Sequence, residues 1–173
     1  MVERSEGRQP ALAACRQDLI WRKPHRTRAD DAWRMNQPHL FHQFLQAAAS
    51  QPEPQRLLFV FATAALPDDA TPAQTERFLA GGGGTLTPWM TVDKGVDDLV
   101  DFAALLAESR EAGQSTDSTW QVVFAAGLSG RNGQAPSSDQ VEAATQAMVE
   151  GVRVGRIENY LALDTSGEAL QFV

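Results

Sequence analysis

The segment of this chain best suited to binding chemistry is a glycine-rich stretch, Gly127-Leu128-Ser129-Gly130-Arg131-Asn132-Gly133. Glycines let backbone amides come close to an anion, and the guanidinium of Arg131 would add a two-pronged donor. We therefore predict that Gly127, Ser129, Gly130, Arg131 and Asn132 bind an anionic ligand. The alternative is that these glycines serve turn geometry alone, as they do in many loops between strands and helices.

Two other polar groups follow apolar segments. Asp93 and Lys94 come after one strand pattern, and Asp68 and Asp69 come after another. In a parallel sheet the carboxyl ends of the strands lie along one edge, where ligands usually bind. We expect the three loops to meet there, with Asp93 and Lys94 positioning a proton or a metal. The alternative is that the aspartates begin helices and that Lys94 is a solvated surface charge.

Familiar catalytic and metal-binding patterns are incomplete. Ser129 lies in a partial Gly-x-Ser-x-Gly pattern, but Arg131 replaces the second glycine and no histidine follows it in the chain. His39 and His42 are three apart on a predicted helix and lack a third ligand nearby. No Lys-Ser or Lys-Thr follows the run Gly81 to Gly84, so the Walker pattern is absent. We predict no catalytic residue, no metal site and no cofactor.

The chain divides by charge near Met35. Residues 1–34 hold eight of the fifteen Lys and Arg and five of the twenty-two Asp and Glu, so they carry net +3 and the remainder, 7 minus 17, carries −10. An acidic remainder does not provide the basic surface that nucleic-acid binding requires. We expect residues 35–173 to form one domain and residues 1–34 to be a disordered leader or an extension upstream of a start at Met35. The alternative for the basic run Arg22 to Arg28 is an arm that binds phosphate or an acidic partner.

The cellular setting follows from cysteine use and apolar run length. Cys15 is the only cysteine, so residues 35–173 can form no internal disulfide, which favours a cytoplasmic location. The longest apolar run, Leu57 to Leu66, is far shorter than the roughly 20 residues that span a bilayer as a helix. We expect no membrane partner.

Apolar periodicity predicts alternating helices and strands. A helix is expected after Pro38, a strand buried on both faces at Leu57 to Phe61, and a helix begun by the capping pattern Thr71-Pro72-Ala73-Gln74. A strand from Thr85 follows, in which Pro88 indicates an edge position or a bulge, and then a helix from Val96 to Gly113. The last elements are a strand at Trp120 to Ala126, a helix from Ser137 to Gly155, and a hairpin over 157–173. This order predicts an α/β fold with a mainly parallel or mixed sheet of about five strands, helices packed on it and a terminal β-hairpin.

Four segments together resemble a known family. They are Leu57-Leu58-Phe59-Val60-Phe61, Leu66-Pro67-Asp68-Asp69-Ala70-Thr71, Val92-Asp93-Lys94 and Leu128-Ser129-Gly130-Arg131. Over about Leu40 to Val173 the chain resembles small bacterial proteins labelled "ribonucleotide reductase subunit alpha". A reductase of that kind needs a radical cysteine and a reducing cysteine pair, and the chain has no cysteine after Cys15. The resemblance therefore implies neither reductase activity nor a role for any residue.

These observations favour a small accessory or binding protein without catalytic activity, whose partner is a protein or a small anionic ligand. The alternative is an enzyme acting on a phosphorylated metabolite or nucleotide, with Arg131 binding the anion and Asp93 or Lys94 moving a proton. An exposed Trp89 beside Pro88 would also suit pairing with a second copy of the chain, so a homodimer is a further expectation.

Overall fold

The computed structural model describes residues 19–22, 40–113 and 120–172. Its strands are β1 (Trp21–Arg22), β2 (Gln55–Ala65), β3 (Thr85–Gly95), β4 (Val122–Ser129), β5 (Leu161–Asp164) and β6 (Gln171–Phe172). Its helices are α1 (Leu40–Ala49), α2 (Pro72–Leu79), α3 (Phe102–Gly113) and α4 (Ser138–Arg153), with a 3-10 turn at Val96–Asp98. Met35, the run from Lys23 to Arg28, and His39 lie outside the described residues.

A four-stranded sheet in the order β3-β2-β4-β5 forms the middle layer, and every neighbouring pair in it is antiparallel. The α/β class is confirmed, but the sheet is not the parallel or mixed five-stranded one predicted. The prediction of parallel strands assumed that α2 crosses the sheet, and it does not. An eight-residue helix is about 12 Å long and cannot return the chain along strands of about 36 Å. This helix lies within the loop that connects β2 to β3, and none of its residues is buried.

One predicted crossover is present. Because β3 and β4 are both antiparallel to β2, which lies between them, they run in the same direction. Helix α3 connects them. After β5 the chain turns back through a bridge between Leu163 and Ala169, and β6 then pairs with β1. The terminal hairpin is therefore short.

The sheet is covered on both faces, as the apolar run of β2 predicted. Leu57, Phe59 and Phe61 pack with α1 and α3, whereas Leu58 and Val60 pack with α4. Successive side chains of a strand point to opposite faces, so a strand between two helical layers is apolar at every position. All five of these side chains are at most 3% exposed. The protein is thus built in three layers.

Two details of β3 follow the prediction made from Pro88. The strand lies at the edge of the sheet, and its register with β2 shifts where Phe61 pairs with Met90 and Ala62 pairs with Pro88. Trp89 is the extra residue of this bulge. It is only partly exposed, because it packs against the α1 and α3 cluster, so the predicted exposure of Trp89 is found only in part.

Four described residues of the predicted leader belong to the folded unit. Trp21 is 5% exposed and lies in the α4-side cluster, and β1 pairs with β6. Leu19 exchanges backbone hydrogen bonds with Gly84, both 3.0 Å long. The predicted boundary near residue 35 therefore does not hold for Leu19 to Arg22.

Candidate functional site

The antiparallel order brings two of the three predicted loops together. Gly95, at the end of β3, and Ser129, at the end of β4, pair with neighbouring residues at the start of β2, Arg56 and Gln55. Asp68 and Asp69 follow the other end of β2 and lie at the opposite end of the sheet. The expected common edge of three loops is therefore wrong for these two aspartates, because it assumed parallel strands.

Strand geometry also separates Asp93 from Lys94. Asp93 pairs with Leu58, whose side chain faces α4, whereas Lys94 and Gly127 both pair with Leu57, whose side chain faces α1 and α3. Adjacent residues of a strand point to opposite faces. Asp93 and Lys94 are thus on different sides of the sheet, and they do not form one site.

Each of these two side chains has an ion-pair partner. The Nη2 and Nε atoms of Arg56 lie 2.6 Å and 2.7 Å from Oδ2 of Asp93, and Nζ of Lys94 lies 2.7 Å from Oε2 of Glu108 in α3. The pairs are partly exposed, so each contributes at most about 1 kcal/mol to stability. Their charges are compensated within the protein, which leaves neither cation unpaired for a ligand.

The glycine-rich loop contains a tight turn. The backbones of Arg131 and Gln134 exchange two hydrogen bonds of 3.0 Å, and Asn132 and Gly133 between them have φ values of 55° and 73°. Positive φ at both central residues is the type I′ geometry that the dipeptide Asn-Gly favours. The dipeptide is thus a local signal for this turn that the sequence prediction did not use.

Backbone donors predicted to approach an anion already have acceptors in the protein. Gly130 N–H donates to the carbonyl of Pro54 at 2.8 Å, and Gly133 N–H donates to Oε2 of Glu53 at 2.7 Å. The amide of Gln55 donates to Oγ of Ser129 at 2.8 Å. The carboxylate of Glu53 thus binds where the sequence predicted an anionic ligand. Glu53 and Pro54, just before β2, and Gln55, its first residue, supply these partners, which the sequence prediction did not include.

A groove of about 720 Å³ lies between the outer strand β3 and helix α4. Thr91 and Asp93 of β3 line one side, with Arg56 of β2. Helix α4 and the residues just before it line the other side through Ala135, Pro136, Ser138, Val141, Glu142, Thr145, Gln146, Val149 and Glu150. Of the predicted site residues, Asp93 alone belongs to this lining. Gly127, Ser129 and Lys94 face the other layer, and Arg131 and Asn132 are exposed on the turn.

The sequence held part of the information needed to find this groove. Pro88 indicated an edge position or a bulge for β3, and the helix from Ser137 was predicted. The missing step was strand order: among the residues that the structure describes, β3 pairs with β2 alone, and α4 lies beside it.

Across the described ranges, no three His, Cys, Asp or Glu residues are grouped so as to hold a metal ion. Within the same ranges, no helix combines the length and apolar character needed to cross a bilayer. Comparison of the chain with family models, curated proteins and solved structures gives no match.

Proposed function

We propose that this chain is a small cytoplasmic binding protein without catalytic activity, and that it binds an extended segment of another protein as an added strand along β3. The observation that carries the proposal is the groove between β3 and α4 beside an outer strand. In strand addition the backbone of the partner pairs with the free edge, and pockets beside the edge receive alternate side chains. An outer strand next to a groove provides both parts of such a site.

The regularly paired part of β3 and the part of α4 that lines the groove have similar lengths. Beyond the bulge, β3 pairs regularly with β2 from Met90 to Gly95, and six strand residues extend about 20 Å. The lining of the groove runs along α4 from Ser138 to Glu150, an axial distance of about 18 Å. A segment of about six residues would therefore match both the paired part of β3 and the lined part of α4 in length.

The chemistry of the lining favours a polypeptide over a small anion. Val141 and Val149 offer apolar surface, and Thr91, Thr145 and Gln146 offer hydrogen-bonding groups. The cation in the lining, Arg56, is paired with Asp93. An anion would have to compete with that carboxylate, whereas an added strand would use backbone groups of β3.

Selection of peptides from a random library displayed on phage, followed by NMR titration of the full chain, tests the proposal. We expect selected peptides to shift the amide resonances of Met90 to Gly95, and Gln146→Trp to abolish binding by filling the groove. Ala147→Trp is the matched control, because Ala147 is also exposed on α4 but does not line the groove. Peptides that bind Gln146→Trp and the unmodified chain equally well would contradict the proposal.

A further inference from the structure

We infer that the segment bound along β3 is basic, with Lys or Arg side chains four residues apart on the face turned towards α4. This inference rests on the proposed function and adds the chemical class of the partner. It follows from the charges of the groove lining and from their spacing.

The groove lining has an excess of negative charge. Four of its residues are ionisable, and Arg56 and Asp93 neutralise each other through the short contacts described above. The other two are Glu142 and Glu150 of α4. Glu142 accepts a hydrogen bond from the neutral amide of Gln146 at 3.3 Å, and Glu150 has a 3.6 Å contact with Arg153, whose side chain is 67% exposed. Both carboxylates therefore retain most of their attraction for a cation from a partner.

The two carboxylates are spaced to suit an extended chain. Glu150 lies eight positions after Glu142, which places the two about 12 Å apart along the helix axis. On one face of an extended strand, residues four apart are separated by about 13 Å. A basic side chain at each end of such an interval would face one carboxylate, and the residue midway would face Thr145 and Val149. The predicted pattern is thus a basic residue, any residue, a small apolar residue, any residue and a second basic residue.

The net negative charge of the protein also favours a basic partner. The full chain carries net −7, and a field of that sign steers cationic segments towards the surface and raises their rate of association. Nucleic acid would meet the same field as a repulsion.

Three synthetic peptides, each titrated into the full chain and followed by NMR, test the inference. The first is Thr-Arg-Thr-Val-Thr-Arg-Thr, which places both arginines and the valine on one face. The second, Thr-Arg-Thr-Val-Arg-Thr-Thr, has the same composition with the arginines on opposite faces. The third replaces both arginines of the first with glutamine. We expect the first to bind most tightly, by about fivefold over the second and about tenfold over the third, because exposed ion pairs are weak.

Variants of α4 supply the matched controls. Glu142→Gln and Glu150→Gln should each weaken binding of the first peptide by about two- to fivefold, and high salt should remove most of that difference. Asp139→Asn should leave the affinity unchanged, since Asp139 is an exposed carboxylate of the same helix outside the groove lining.

The outcomes separate this inference from the proposed function. If all three peptides shift the resonances of Met90 to Gly95 with equal affinity, strand addition stands and the basic segment is overturned. If none of them binds at millimolar concentration, the basic segment is again overturned. The proposed function fails as well only if the library selection also yields no peptide that acts on these resonances.

Discussion

Gly130 and Gly133 are both needed in the tight turn after β4, for different reasons. Gly133 has a φ of 73°, a conformation that side chains disfavour, although open space surrounds the position of a Cβ atom. At Gly130 a Cβ atom would overlap the carbonyl oxygen of Gln134 and lie 3.0 Å from that of Pro54. Gly133 thus permits a left-handed backbone conformation, and Gly130 permits a close approach of two chain segments.

Alanine substitutions should reveal this difference. Gly133→Ala is expected to lower the free energy of unfolding by about 1 kcal/mol through its left-handed backbone, and Gly130→Ala by more, because the backbone must move. Urea denaturation followed by circular dichroism measures both. Gly127→Ala is the control, since its Cβ would meet only the Gln55 side chain at 3.5 Å. Equal stability of the Gly130 and Gly127 variants would show that the close approach is wrong.

Helix α3 begins later than its apolar pattern predicts. The sequence favoured one helix from Val96, but a 3-10 turn at Val96–Asp98 is followed by Leu99 in an extended conformation, with φ −129° and ψ 114°. Two carboxylates account for the break. Asp98 accepts a hydrogen bond from Gly95 N–H at 3.1 Å, and Asp101 accepts one from Ala104 N–H at 2.8 Å. The second contact caps α3 and fixes where it starts.

Loss of that cap has a measurable cost. Asp101→Ala should lower the free energy of unfolding by about 1 kcal/mol, because the amide of Ala104 loses its acceptor at the helix terminus. Asp97→Ala is the matched control, since Asp97 is exposed in the adjacent 3-10 turn, and its effect should stay within about 0.5 kcal/mol. Chemical denaturation of both variants makes the comparison, and a similar loss in the two would argue against a cap at Asp101.

Strand β1 joins the described part of the N-terminal segment to the rest of the molecule. The ring of Trp21 lies 6.0 Å from that of Phe172, and Phe172 in turn stacks on Phe124 of β4 at 5.9 Å. The core on the α4 side therefore includes residues from both ends of the described chain.

Removing the indole should destabilise the whole protein. Trp21→Ala is expected to lower the free energy of unfolding by about 3–5 kcal/mol, as is usual for a large buried aromatic side chain. Trp89→Ala should cost less, because Trp89 remains partly exposed at the bulge. Thermal and urea denaturation of the full chain test this order. A loss below about 1 kcal/mol for Trp21→Ala would mean that β1 is not a stable part of the fold.

Local features were predictable from the sequence, and long-range ones were not. The capping box at Thr71 and the start of a helix at Ser137 are confirmed, as are the burial of β2 on both faces and the edge position of Pro88, because nearby residues determine each of them. Strand direction depended on whether α2 crosses the sheet, and apolar periodicity carries no information on that. In the glycine-rich loop, Gly133 donates to Glu53, which lies 80 residues earlier in the chain, and no local pattern connects the two.

The β-bulge at Pro88 and Trp89 limits the length over which another strand can pair with β3. A foreign chain aligned with Met90 to Gly95 would lose its ladder of contacts on reaching the proline, which has no N–H to offer. In the proposed strand addition, binding would therefore be confined to Met90 to Gly95, and the same interruption would oppose the repeated pairing of copies that forms fibrils. A single β-bulge would thus allow a short segment to pair with this edge and prevent polymerisation along it.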